Sequence, residues 1–124
     1  MKRILIVEDD RDLRFVIRMI LERAGYEVAE ARNGMAALES IGAEPPDLII
    51  ADLTMPVMSG VELVDQLRAN PATVSLPIVL LSGGQVDAAT SQRVDAVVAK
   101  PFEPDHLAAC IESALHADRG EPVT

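Results

Sequence analysis

The chain has 124 residues, of which 49% are hydrophobic and 25% charged, which is typical of one soluble globular domain and leaves no room for a second. Eleven Lys and Arg against twenty Asp and Glu give a formal net charge of −9, which repels nucleic-acid phosphates. Two Phe, one Tyr and no Trp also leave little aromatic surface for base stacking, so we expect no nucleic-acid binding by this chain alone.

Cysteine content and apolar run length indicate the compartment. The single cysteine, Cys110, has no internal disulfide partner, and no paired Cys/His spacing indicates zinc, so a reducing environment is favoured. The apolar run at 4–7 ends at Glu8, which is too short for the core of a secretory signal. No later run is long enough to span a membrane. We therefore expect a cytoplasmic protein without a membrane partner.

Five short apolar runs rich in β-branched residues are predicted strands. Polar and apolar residues do not alternate in these runs, so as strands they would be buried on both faces, as in a parallel sheet covered by helices. The runs lie at 4–7, 28–31, 48–51, 78–81 and 96–99.

Helical patterns separate these strands. The first has apolar residues at a 3.6-residue period over 13–24, and Gly25 ends it. The last begins at about Pro104, a residue favoured in the first turn. The second has an apolar face of Ala37, Leu38 and Ile41 and ends at Gly42. The third begins at Ser59, which is expected to form a capping box with Glu62. Its apolar face is predicted to be Val61, Val64 and Leu67.

Two segments have weaker patterns. Residues 82–93 contain few apolar side chains, so we expect one short helix there at most. Residues 118–124 are polar and include Gly120 and Pro122, and we expect them to be frayed or to begin a linker. The predicted organisation is one domain over 1–117 followed by a polar tail.

Polar residues follow four of the predicted strands. In a βαβ series with right-handed crossovers, ligands bind beyond the carboxyl ends of the strands. Carboxylates about 4 Å apart repel by up to about 4 kcal/mol at an effective dielectric of 20, so the cluster needs cations. Carboxylates without His or thiolate favour Mg²⁺, which readily takes a phosphate oxygen. The residues at these ends are Glu8, Asp9, Asp10, Asp52, Ser82 and Lys100.

Each residue also has a plainer interpretation. An acidic triplet after a strand commonly forms a turn and a helix N-cap, and we assign Asp10 that role. Taken singly, Asp52 could be a turn residue, Ser82 could begin a loop and Lys100 could be a surface charge. Their coincidence at the ends of different strands favours a shared site.

Four sequence motifs together resemble the receiver domain of two-component response regulators. They are ILIVEDD at 4–10, DLIIADLTMP at 47–56 with MSG at 58–60, LSG at 81–83, and AKPF at 99–102. The resemblance extends from residue 3 to about 116. It implies an α/β fold, a flavodoxin-like doubly wound sheet of five parallel strands in the order 2-1-3-4-5 with helices on both faces.

The resemblance also implies a role for each site residue. Asp52 is the expected phosphoacceptor, which takes a phosphoryl group from a partner histidine kinase, a phosphotransfer protein or a small acyl phosphate. The domain would then switch its contacts with a downstream protein target, and its chemistry would be limited to its own phosphorylation and dephosphorylation. Mg²⁺ is expected to be held by Glu8, Asp9, Asp52 and the Thr54 carbonyl. Ser82 and Lys100 are expected to contact the phosphoryl group. The Lys100-Pro101 peptide bond is expected to be cis.

The sequence departs from the family in two places. Residues 82–100 are fewer than in a typical receiver, which puts the fourth helix in doubt. Val97 stands where the family usually has a switching Tyr or Phe. We therefore predict a switch region at Gly83 and Gly84 and the short segment after them, with smaller changes at Val97, because adjacent glycines permit backbone change at little steric cost.

Two other classes of function remain open. One is a docking module that keeps this fold but signals without phosphorylation, and the complete set of acidic, hydroxyl and lysine residues argues against it. The other is a phosphatase of the haloacid dehalogenase type, which also uses an Asp nucleophile after a strand. That family has a second Asp where this chain has Thr54.

Overall fold

A computed structural model describes residues 1–116 of the chain. Strands and helices alternate throughout these residues. In chain order the elements are β1 (Arg3–Val7), α1 (Arg11–Arg23), β2 (Glu27–Ala31), α2 (Gly34–Ala43), β3 (Leu48–Asp52), α3 (Gly60–Ala69), β4 (Ile78–Ser82), α4 (Ala88–Ser91), β5 (Ala96–Ala99) and α5 (Pro104–Leu115).

The strands form a single parallel sheet. Its order is β2-β1-β3-β4-β5, with every neighbouring pair parallel. This confirms the predicted doubly wound, flavodoxin-like fold. Each strand lies within one residue of its predicted bounds. The prediction that every strand is buried on both faces holds for β1, β3 and β4 but is wrong for β2 and β5, which are largely exposed or half-buried because they form the two edges of the sheet.

Helices cover both faces of the sheet. Successive side chains of a strand point to opposite faces, so the three central strands β1, β3 and β4 each contribute to two separate cores. One core joins alternate strand residues to α2 and α3 through Ala37, Ile41, Leu63, Val64 and Leu67. The other joins the remaining strand residues to α1 and α5 through Ile17, Leu21, Leu107, Ile111 and Ala114.

The predicted helix ends are largely confirmed. The Asp10 side chain caps α1 by accepting hydrogen bonds from the backbone N–H groups of Asp12 and Leu13. Gly25 follows α1 with φ of 93°, a left-handed conformation that suits glycine after a helix. The Ser59–Glu62 capping box is present. The predicted end of α2 at Gly42 is wrong by one residue, because the helix continues to Ala43 and the N–H of Glu44 still donates to the Ser40 carbonyl.

One core assignment needs correction. Val61 was expected on the apolar face of α3, but it is only partly buried, and Leu63 is buried instead. The cause is the helical period. Gly60, Leu63, Val64 and Leu67 recur at the i, i+3, i+4, i+7 spacing and form the inward stripe. Val61 lies about 100° around the helix from Gly60 and so falls at the side of this stripe.

The segment after β4 contains only one helical turn. α4 covers four residues, Ala88–Ser91, and the Asp87 side chain caps it by accepting from the Thr90 N–H. This agrees with the expectation of one short helix. Val97 on the neighbouring edge strand is 36% exposed. The predicted polar tail at 118–124 lies outside the described residues. Within 1–116, no helix has both the length and the apolar character needed to cross a membrane.

Candidate functional site

The parallel sheet brings the predicted polar residues to one edge. Glu8 directly follows β1, Asp52 ends β3, Ser82 ends β4 and Lys100 follows β5. Strands β1, β3, β4 and β5 are consecutive neighbours in the sheet, so these four carboxyl ends lie side by side. The topology therefore produces the juxtaposition expected from the strand-end pattern.

Three carboxylates form a compact acidic cluster. One oxygen each of Glu8, Asp9 and Asp52 lies within 4.8 Å of the others. Glu8 is 1% exposed and Asp52 is 5% exposed, whereas Asp9 faces solvent. A hard divalent cation prefers such oxygen ligands, and the exposed side leaves room for water in its coordination sphere.

The Glu8 carboxylate is incompletely satisfied. Its Oε2 atom accepts a hydrogen bond of 3.0 Å from the Asp10 N–H, but its buried Oε1 has no hydrogen-bond partner among residues 1–116. Burial raises the pKa of Glu8 to about 8, and the adjacent Asp52 and Asp9 carboxyls add to the rise against the opposing Asp10 N–H. A bare buried carboxylate oxygen is costly, so a cation fits this cluster.

Lys100 provides the positive charge on the other side of Asp52. Its Nζ lies 2.7 Å from Asp52 Oδ2. Partial burial would lower the pKa of the Lys100 ammonium, but the hydrogen bond to Asp52 and the charges of Asp52, Glu8 and Asp9 raise it above its ordinary value. The group therefore carries its charge at neutral pH. The Lys100-Pro101 peptide bond is cis, as the resemblance implied.

The loop after β3 contacts Asp52 through both its side chain and its backbone. The Thr54 N–H donates to Asp52 Oδ1 at 3.1 Å, and Thr54 itself is exposed. Farther along, the Gly60 N–H donates to the Leu53 carbonyl at 2.8 Å. A Cβ atom at Gly60 would lie 2.5 Å from the Asp52 backbone oxygen, so only glycine permits this approach of α3 to the end of β3.

Ser82 lies at the site, but its hydroxyl is turned to its own loop. The Oγ donates to the Gly84 carbonyl at 2.8 Å and accepts from the Gly84 N–H at 3.1 Å. These two bonds close a short turn at the end of β4. The structure thus brings Glu8, Asp9, Asp52 and Lys100 into direct proximity, while the Ser82 hydroxyl is bonded to Gly84.

Sequence reasoning missed three contributors to the site. Arg14 of α1 donates from Nη1 to the Glu8 carbonyl at 2.8 Å, and the only sequence signal was a charged residue beside the apolar face of the helix. Gly60 appeared only as part of a motif, without its close contact to Asp52. Val57 lies in the same loop at φ of 71°, an unusual conformation for a β-branched residue.

The sheet order and the strand-end cluster together define a receiver-type domain. The family model of the response regulator receiver domain matches residues 4–112. The chain belongs to this family, which operates in two-component signalling.

Two curated relatives show what this chain resembles. It is 38% identical over 118 residues to the phosphate regulon transcriptional regulatory protein PhoB of Pseudomonas aeruginosa, covering 92% of this chain and 52% of PhoB. It is also 38% identical over 121 residues to the response regulator receiver protein CpdR of Brucella abortus, covering 94% of this chain and 99% of CpdR. The chain thus spans about half of PhoB and nearly all of CpdR.

A solved structure shares the whole architecture. The response regulator protein TrrA of Thermotoga maritima, solved in complex with Mg²⁺ and BeF, superposes with a TM-score of 0.85 at 32% identity. The match covers 92% of this chain and 99% of TrrA.

Proposed function

We propose that the chain is a phosphoacceptor switch in which Asp52 takes a phosphoryl group from a histidine kinase or a phosphotransfer protein of the same cytoplasm. The phosphoryl group would change how the domain, residues 1–117, contacts a downstream protein. The observation that carries this proposal is the environment of Asp52. Its carboxylate pairs with the Lys100 ammonium and belongs to the same acidic cluster as Asp9 and Glu8, and the Glu8 Oε1 has no hydrogen-bond partner among residues 1–116.

The acidic cluster fits Mg²⁺. Glu8, Asp9 and Asp52 offer the carboxylate oxygens that this ion prefers, and the family resemblance adds the Thr54 carbonyl as a fourth ligand. When bound, the ion would offset the negative charge of the phosphoryl oxygens and of the three carboxylates. TrrA, a structural relative, was solved with Mg²⁺ and BeF, which supports the same use of this site here.

The chain's own residues would carry the transfer. A carboxylate oxygen of Asp52 attacks the phosphorus, and the bond from phosphorus to the donor nitrogen or acyl oxygen breaks with its electron pair going to the donor. Lys100 is already in place to pair with the phosphoryl oxygens, and such positioning and charge neutralisation supply most of the catalysis in phosphoryl transfer. The Ser82 hydroxyl would turn from Gly84 to donate to a phosphoryl oxygen.

Intact mass spectrometry tests the proposal. After incubation with acetyl phosphate and Mg²⁺, we expect the wild-type chain to gain the mass of one phosphoryl group and to lose it on treatment with hydroxylamine, which cleaves acyl phosphates. Asp52→Asn should gain nothing. Asp105→Asn removes an exposed carboxylate of α5 and should behave as wild type. An unchanged wild-type mass with a donor of proven reactivity would leave the phosphorylation-independent docking module as the better function.

A further inference from the structure

Arg14 connects α1 to the loop that carries the acidic cluster. Its Nη1 donates to the Glu8 backbone carbonyl at 2.8 Å, and its Nε donates to Glu30 Oε1 at 2.7 Å. Glu30 belongs to β2, and Arg14 belongs to α1. One guanidinium therefore joins a helix, a neighbouring strand and the first residue of the acidic cluster.

The contact with the Glu8 carbonyl restrains the direction of two site carboxylates. That carbonyl belongs to the peptide unit between Glu8 and Asp9, and the Glu8 N–H is already bonded to the Ala31 carbonyl at 3.0 Å. With Arg14 in place, both backbone polar groups of Glu8 are engaged. Because a peptide unit is planar, fixing its oxygen also fixes the plane from which the Asp9 side chain departs.

The guanidinium is itself held firmly. Its partner Glu30 also accepts a hydrogen bond from Arg18, one turn farther along α1. Partial burial by itself would raise the pKa of Glu30, but the hydrogen bonds from Arg14 and Arg18 bring it below its ordinary value. Glu30 thus stays ionised at neutral pH and orients Arg14 through a planar, directional contact that a lysine could not reproduce.

We propose that Arg14 is a positioning residue for the Mg²⁺ site, acting through the Glu8–Asp9 peptide unit; this rests on the proposed function of that site. Arg14 does not touch the reacting atoms. It holds the backbone so that Glu8 and Asp9 present their oxygens together, in the way that outer partners orient the ligands of metal sites.

A purely electrostatic role for Arg14 predicts the opposite change in Mg²⁺ affinity from a positioning role. The positive charge of Arg14 near three carboxylates competes with an incoming cation, so a purely electrostatic role means that its removal strengthens Mg²⁺ binding. A positioning role means that its removal weakens binding. Arg14→Lys separates the two roles because it keeps the charge and loses the two-point geometry of the guanidinium.

The test is a calorimetric titration with Mg²⁺ alone on the full chain. We expect wild type to bind, Arg14→Lys and Arg14→Gln to bind about tenfold more weakly, as is usual on loss of an outer partner, and Glu30→Gln to lie between. Arg11→Gln is the matched control because Arg11 is an exposed arginine at the start of the same helix, outside the network of Arg14, Glu30 and Arg18, and it should bind as wild type. In the phosphorylation assay, Arg14→Lys should need more Mg²⁺ for half-maximal rate yet keep its maximal rate.

Each outcome separates this inference from the proposed function. If wild type binds no Mg²⁺ and takes no phosphoryl group, the proposed function fails. If wild type does both and Arg14→Lys matches its affinity, the positioning role is wrong and the proposed function stands. Equal weakening in Arg11→Gln would also overturn it, because the cause would then be a general change in the charge or stability of α1. If Arg14→Lys is unfolded in EDTA, the Mg²⁺ affinity of Glu30→Gln provides the test. An affinity of Glu30→Gln equal to that of wild type would then overturn the inference.

Discussion

Lys100 Nζ and Asp52 Oδ2 lie 2.7 Å apart, although β4 separates the strands that carry them. The ion pair therefore crosses the carboxyl end of β4 and joins the ends of β3 and β5. Its ammonium is positioned before any phosphoryl group arrives, which avoids reorganisation during the transfer.

Loss of this charge should slow phosphorylation. We expect Lys100→Gln to gain the phosphoryl group from acetyl phosphate about 100-fold more slowly than wild type, the usual effect of removing one preorganised group that stabilises developing charge. The rate of mass gain at saturating Mg²⁺ measures this. Lys2, the other lysine of the chain, is exposed at the opposite end of β1, and Lys2→Gln should leave the rate unchanged. Equal rates in the two variants would remove Lys100 from the mechanism.

Asp9 should contribute directly to Mg²⁺ affinity. Asp9→Asn keeps the side-chain shape and removes one of three clustered carboxylates. We expect the affinity for Mg²⁺ to fall at least about tenfold, because losing a ligand should cost no less than losing a residue that only orients a ligand. Asp12→Asn removes a nearby exposed carboxylate in the first turn of α1 and controls for net charge. If titration gives the same loss for both variants, general electrostatics and not ligation explains it.

The metal-free protein should lose stability as pH rises. Glu8 has a pKa of about 8 in the folded protein against an ordinary 4.5, so between these values the folded state keeps a proton that the unfolded chain releases. The stabilisation is complete below pH 4.5 and is lost as pH rises towards 8, a change on the order of a few kcal/mol. Urea unfolding in EDTA at several pH values measures it.

Glu8→Gln provides the reference for this pH dependence. The amide cannot ionise, so the free energy of unfolding of the variant should fall less steeply over the same pH range than that of wild type. Parallel curves for the two proteins would show that other groups cause the change and that Glu8 ionises normally in the fold.

Gly60 should tolerate no side chain. Alanine there would place Cβ 2.5 Å from the Asp52 oxygen and 2.8 Å from the Leu53 Cα, both backbone atoms. We expect Gly60→Ala to lower the free energy of unfolding by about 1–3 kcal/mol and to slow phosphorylation by displacing β3 from α3. A Cβ at Gly42, in the last turn of α2, meets nothing within 4 Å. Gly42→Ala should stabilise by up to about 1 kcal/mol, and equal effects in urea unfolding would contradict the packing argument.

The strands and the main helix ends were predictable because they depend on local patterns. Runs such as 48–51 admit only a buried strand, and the pairing of Ser59 with Glu62 is a local signal for a helix start. The juxtaposition at the site was predictable to the same extent, since Asp52 ends its strand, Lys100 directly follows its strand, and the topology of a parallel sheet brings those ends together.

Other features depend on distances that the sequence does not encode locally. The reach of Arg14 to the Glu8 carbonyl requires the actual rotamer and its anchor on Glu30. The approach of Gly60 to Asp52 depends on the path of a loop that includes Val57 at positive φ. The position of Val61 was misjudged because Val64 and Leu67 fit two apolar stripes, one through Val61 and one through Leu63, and only the packing against the sheet selects the second.

The response to phosphorylation should begin at the two bonds between Ser82 and Gly84. When the Ser82 hydroxyl turns to a phosphoryl oxygen, Gly84 loses the partner of both its N–H and its carbonyl. The following segment contains a single helical turn with its Asp87 cap. Buried Thr90 and the contacts of Arg93 with Arg68 and Asp65 anchor its far end, so we expect the change to be largest in the residues next to Gly84. Val97 has no ring to reorient, and its branched side chain has few χ1 choices.

We therefore predict that a beryllofluoride complex of Mg²⁺-loaded protein shifts the backbone amides of residues 83–93 more than those of Val97 and α5. Amide shifts before and after addition of the mimic measure this, with changes at Asp52 and Asp9 showing that the mimic has bound. Ser82→Ala removes the hydroxyl that couples the site to Gly84, so binding of the mimic should leave its 83–93 amides nearly unchanged. If the wild-type shifts are instead concentrated at Val97 and α5, and the amides of residues 83–93 do not shift, the prediction is wrong. The conformational change would then pass through β5, because a modification moves only the element whose contacts it alters.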